Sequence, residues 1–311
     1  MASRLRVGPF SPIKVRHTSP LRLILAACVA FEAAPVSAQR PAPSVTVSFG
    51  VDTTAPDVGN IVELVRAYLT QPDTSAGTRG LWSTADSLDR LVGDLHLYLA
   101  YQGFPATVLG VLSAGPGDSV YIVKVLHARA DSTREQIMPF ALQRVYAVRA
   151  SDSHYGWRLS NALPWLTRNW PSYQLGRITF RYAPGQVRNE ARAVEAAHFV
   201  DSVATLFAVP PPEHLDYYVT ASPDEYFRAL GLDFIVLPSG RGTASGGNAL
   251  TGARIVLAGD PTQGEAYLHE IVHVVLARHL GGGAILGEGV PTWLGGSKGR
   301  SAREMYILLA E

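Results

Sequence analysis

The chain has 311 residues, 47% hydrophobic and 17% charged, with a formal net charge of +1. That length suits about two domains of roughly 150 residues each, and the apolar content suits packed cores rather than disorder. No basic patch interleaved with aromatics is present, which excludes nucleic acid as an expected partner.

The charge is unevenly placed. Residues 1–38 contain Arg4, Arg6, Lys14, Arg16 and Arg22 against Glu32 alone, a net of +4, so the remainder carries about −3. A basic start, an apolar run LILAACVAF at residues 23–31 and small residues at Val36 and Ala38 predict a signal peptide cleaved after Ala38. The expected location is secreted or periplasmic. The apolar run is about half the length of a membrane span. LAAC at residues 25–28 also resembles a lipoprotein cleavage box, giving a lipid anchor at Cys28 as the second reading. Cys28 is the single cysteine, so a mature chain has no disulfide.

Residues 39–55 are rich in Pro and Thr and read as a lead-in segment. Residues 56–172 read as a small α+β domain. Asp57 is placed to cap a helix through Leu69, with Val58, Ile61, Val62, Val65 and Leu69 on one side. A second helix is expected over residues 84–101, then strands over residues 107–112, 119–127, 140–149 and 157–161. Helices followed by a meander suit a curved sheet packed on helices, of the cystatin or NTF2 type. His96, His127 and His154 are scattered through this half and form no cluster in the sequence.

The pattern breaks near residues 169–175, which places a second domain at residues 173–311. A strand is expected over residues 177–182 and an amphipathic helix over residues 187–207, stopped by Pro210, Pro211 and Pro212. Residues 215–220 read as a strand. Ser222 with Glu225 forms a capping box before a short helix. SGRGTASGG at residues 239–247 matches no phosphate-binding fingerprint and reads as a mobile surface loop. Residues 253–258 read as a strand.

The stretch YLHEIVHV at residues 267–274 carries the chemistry. Asp260 and Pro261 read as a helix start, and the glycines at residues 281–283 as its stop, predicting one helix of about twenty residues. Its β-branched valines and isoleucine favour a buried setting, where two histidines and a glutamate need a reason to be present. Residues four apart share a helical face, so His269 and His273 can point at one ion. Glu270 lies about 100° round the helix, near enough to take a proton but poorly placed as a ligand. This is the logic of HExxH.

Two residues compete as third ligand. His279 follows His269 by ten residues, but Leu276 stands where a helix-breaking glycine would be needed, and on a continuing helix His279 lies about 240° from His273. The other is Glu288, in ILGEGVPTWLGG. His269, Glu270, His273, Glu288, Gly289 and Trp293 together resemble the gluzincin metallopeptidases, closest to the minimal bacterial peptidase MA-like type, over about residues 175–311. The resemblance implies a zincin-like domain binding Zn2+ through His269, His273 and Glu288, with Glu270 as general base. It implies a peptide or protein substrate, and an edge strand at residues 255–257 on which an extended peptide could pair. Pro291 fits only if residues 288–291 form the first turn of the next helix. Tyr306 is the one local residue available to steady an oxyanion. The expected function is an exported zinc metallopeptidase; the alternative is an envelope protein using a peptidase-like domain as a non-catalytic binding module.

Overall fold

The fold is that of a computed structural model. The structure describes residues 44–70, 79–83, 104–133, 135–236, 246–279, 284–297, 299–304 and 307. The expected signal peptide with Cys28, the helix over residues 84–101, most of the glycine-rich loop and Tyr306 lie outside the described residues. Among the described residues no helix is long and apolar enough to cross a membrane.

The chain is α+β, built on two mixed sheets. The first sheet begins in the lead-in: β1 (Val45–Val47) pairs parallel with β2 (Ala106–Ser113). That segment was expected to be irregular, yet the alternation of Val45 and Val47 fits a half-buried strand. β2 then meanders antiparallel through β3 (Val120–Asp131), β4 (Gln136–Arg149) and β5 (Trp157–Ser160). Helix α1 (Pro56–Leu69) starts two residues earlier than expected, with Pro56 in its first turn and Ala55, not Asp57, as the capping position. Its Ile61, Leu64, Val65, Tyr68 and Leu69 pack on Val108, Val123, Val125, Val145 and Trp157 of the sheet. A short helix α2 (Ala162–Thr167) leads to the second sheet.

The second sheet contains β6 (Ser172–Leu175), β7 (Ile178–Tyr182), β8 (Leu215–Val219), β10 (Gly247–Leu250) and β11 (Ile255–Ala258), in the order β10-β11-β8-β7-β6. Its three central strands run parallel and both outer strands antiparallel. Helix α3 (Glu190–Leu206) connects β7 to β8 as a crossover. It is alanine-rich, and the Asn189 side chain caps it by accepting from the Arg192 backbone N–H. Helix α4 (Pro223–Ala229) is capped by Ser222, which accepts from Glu225 N, while the Glu225 carboxylate accepts from Ala221 N. One face of the sheet packs on α3 and on helix α5 (Leu268–Val275); the other packs on α2 and α4 through Tyr218, Ile255, Leu257, Leu163 and Tyr226.

Two features depart from the sequence reading. Strand β9 (Leu232–Ile235) lies within the second half of the chain but pairs antiparallel with β4 of the first sheet. The Arg144–Asp233 ion pair at 2.6 Å accompanies that pairing. Second, residues 255–257 are not an edge. β11 is flanked on both sides, and β10, drawn from the end of the glycine-rich stretch, is the edge strand. Gly247 is therefore a buried strand residue rather than part of a mobile loop.

Candidate metal centre

The twenty-residue helix expected from Asp260 onward is a shorter assembly. The Asp260 carboxylate accepts from Thr262 N at 2.8 Å, Thr262 Oγ1 at 2.7 Å and Gln263 Nε2 at 3.1 Å, closing a tight local turn. Gly264 follows at φ +50, a left-handed conformation that a helix cannot pass through. After a single 3-10 turn, helix α5 spans only Leu268–Val275.

What orients α5 is a buried tyrosine. Tyr217 Oη on β8 donates to the Gly264 carbonyl at 2.8 Å and accepts from Tyr267 N at 2.9 Å. The carbonyl belongs to the 3-10 turn and the N–H to the capping residue of α5, so one hydroxyl ties the turn to the helix start. Helix α3 holds the same turn from the side. Glu265 accepts from Asn189 N at 2.6 Å, and Arg192 Nη1 donates to the Gln263 carbonyl at 2.7 Å. Ile271, Val272, Val274 and Val275 fill the core against the sheet. Fully burying one such side chain contributes about 1.5–3 kcal/mol, which offsets the poor helix propensity of β-branched residues.

His269 and Glu270 are buried and His273 is half-buried. The third residue arrives on helix α6 (Ala284–Gly295). Glu288 Oε2 lies 3.2 Å from His269 Nε2 and 3.6 Å from His273 Nε2, and the two Nε2 atoms are 3.1 Å apart. Four ligands at about 2.0–2.1 Å in a tetrahedron lie about 3.3–3.4 Å from one another, so this triangle has the dimensions zinc requires. Among the described residues it is the one cluster of histidine, cysteine and acidic side chains fit to hold a metal ion. The donor set, two imidazoles and one carboxylate, is one that could hold a zinc ion.

His279 stays apart, but not for the reason expected. Helix α5 has ended at Val275, and residues 276–279 form a turn closed by His279 N to the Leu276 carbonyl at 2.8 Å. His279 is exposed on that turn and outside the cluster. The expectation for Pro291 also fails. Helix α6 starts at Ala284, so Pro291 lies in its interior, where it lacks the N–H that would bond the Gly287 carbonyl. Gly289 faces open space and Trp293 is 58% exposed, so neither is held by packing at the centre.

Glu270 completes the constellation. Burial pushes its pKa up to about 7; the Glu288 charge adds to the rise and His269 opposes it. Burial likewise holds His273 below the usual histidine range. The edge strand comes close: a Cβ added at Gly247 would lie 3.0 Å from Glu270 Cγ and 2.9 Å from the Tyr267 ring. Only glycine lets β10 pass this near to Glu270. Two further contributors were missing from the sequence reading. The Gly296 carbonyl lies 2.8 Å from His269 Nδ1, and at Gly295 an added Cβ would lie 2.4 Å from His269 N. The sequence signal was the GG pair closing ILGEGVPTWLGG, although a main-chain carbonyl leaves no residue-type signature. Comparisons of the chain with family models, with curated proteins and with solved structures find no match.

Proposed function

We propose that the chain is an exported zinc metallopeptidase with a zincin-like second half. The convergence of His269, His273 and Glu288 to within 3.1–3.6 Å of one another, beside a buried Glu270, carries the reading. Those three residues would hold Zn2+. When bound, zinc supplies Lewis acidity, polarising a carbonyl and acidifying a water.

The chain's own residues supply the rest. A carboxyl with a pKa of about 7 can both accept and donate a proton near neutral pH. Glu270 would take the proton of the attacking water and return it to the leaving amine. The same burial that raises its pKa keeps bulk water from screening it. Among the described residues β10 is the edge strand of the second sheet and passes beside Glu270, and an extended peptide would add along that edge as a further strand. The substrate is accordingly a peptide or an extended segment of a protein. Export rests on the basic and apolar character of residues 1–38.

The test uses the mature chain. Zinc per chain and peptide hydrolysis are measured for wild type, Glu270→Gln, Glu288→Ala and His279→Ala. Glu270→Gln should keep its zinc and lose about 10²–10⁴-fold in rate, as removal of a general base does. Glu288→Ala should lose zinc affinity while His279→Ala keeps it. Zinc-loaded wild type as inactive as Glu270→Gln would instead identify a binding module, and zinc loss in His279→Ala alone would overturn the ligand assignment.

A further inference from the structure

One helix holds the His269 ring from both sides. From within α6, Glu288 Oε2 reaches His269 Nε2 at 3.2 Å; just past the C-terminal end of the same helix, the Gly296 carbonyl meets Nδ1 at 2.8 Å. A carbonyl oxygen can only accept, so Nδ1 must carry the proton and donate it. In a neutral imidazole that leaves Nε2 bare, 3.2 Å from Glu288 Oε2 and 3.1 Å from His273 Nε2, around a point that a cation could share. The ring is buried, which keeps water from replacing the carbonyl.

The construction of this contact is specific. Gly296 N donates to the Thr292 carbonyl at 3.0 Å, closing the last turn of α6. The residue then turns left-handed at φ +74, aiming its own carbonyl back at α5. An added Cβ would lie 2.2 Å from the Arg300 carbonyl. That carbonyl is fixed in turn, since Ser297 N donates to it at 2.8 Å and Arg300 N donates to the Ser297 carbonyl at 3.0 Å. Gly295 seats the helix end on the backbone of His269, with no room for a side chain. The glycines on either side of Glu288 differ. Gly287 and Gly289 both face open space. Packing therefore demands glycine at the end of α6 that touches Nδ1, and not beside the residue that supplies the carboxylate.

We infer that Gly296 is the positioning residue of this centre: its carbonyl locks His269 in the Nδ1-protonated tautomer and so presents Nε2 as a ligand. The inference rests on the reading of the cluster as a metal site. Partners of this kind on ligating histidines are worth about 10- to 100-fold in metal affinity.

The experiment compares Gly296→Ala with Gly299→Ala. Gly299 belongs to the same turn and is also left-handed, at φ +73, but faces open space. Both substitutions strain the turn; only the first displaces the carbonyl. Imidazole 15N shifts are recorded on metal-free protein, and zinc affinity by competition with a chelator. Wild type should show His269 protonated at Nδ1. Gly296→Ala should mix the tautomers and lose about 10- to 100-fold in zinc affinity, while Gly299→Ala matches wild type in both. A wild-type His269 protonated at Nε2 with a bare Nδ1 would overturn the assignment without any variant, as would a folded Gly296→Ala with unchanged tautomer and affinity. Failure of the wild type to bind zinc would overturn the metal reading instead, leaving the tautomer to be decided by the metal-free spectrum.

Discussion

His127 shows what burial does to a single side chain away from the candidate centre. It is fully buried in the first sheet, and its Nε2 lies 3.0 Å from Gln143 Oε1. Burial lowers its pKa to about 4, against a smaller opposing contribution from the Gln143 hydrogen bond. The unfolded chain titrates near 6.5, so between the two values it binds a proton that the folded chain refuses. Stability should therefore be full above pH about 6.5, fall as pH drops toward 4, and fall no further from this cause below that. The total is on the order of 3 kcal/mol. Denaturant midpoints measured across that range should slope for wild type and flatten for His127→Gln; equal slopes would remove His127 as the cause. The sequence had no means of separating this histidine from His154, which is exposed on a turn. His269, Glu270, His273 and Glu288, by contrast, were legible because ligand chemistry restricts residue type and helical spacing restricts position. The Gly296 carbonyl was illegible for the converse reason: every residue carries one.

Among the elements, the strands that were expected and the long helix α3 lie close to where periodicity and caps placed them, because each buries one face on a sheet. The short strands β1, β6, β9 and β10 carried no such signal. The remaining errors cluster around α5. Asp260 and Pro261 do initiate a turn, but Gly264 ends it, and the true helix starts only where Tyr217 receives its first free N–H. That partner is fifty residues away in sequence, beyond the reach of any local pattern. Tyr217→Phe keeps the ring and its packing while leaving the Tyr267 N–H and the Gly264 carbonyl buried without that partner. The expected loss is about 1–3 kcal/mol in stability. Zinc affinity should fall with it, because α5 carries both histidines from this anchored end. An unchanged unfolding midpoint would show that the hydroxyl does not anchor the helix.

For the whole molecule, the division into residues 56–172 and 173–311 is crossed by β9. Residues 141–143 of β4 are paired on one side by β3 and on the other by a strand that comes from the second half. Gly231 reinforces the crossing, its carbonyl accepting from Arg144 N at 2.6 Å. A fragment of residues 173–311 would carry β9 away from its partner, with Leu232, now buried, exposed beside Phe234. Open strand edges of this kind promote association between chains. Expressed alone, that fragment should be polydisperse by light scattering and hold zinc weakly, whereas the full mature chain should be monodisperse. A well-behaved, zinc-binding fragment would show that the second half folds without the first.

The same strand sets an order of events during synthesis. The first sheet emerges early, yet the edge at residues 141–143 cannot close until residue 235 has been made. Until then, the leading half waits with an open seam, and it is the arrival of the strand that directly follows α4 that seals it.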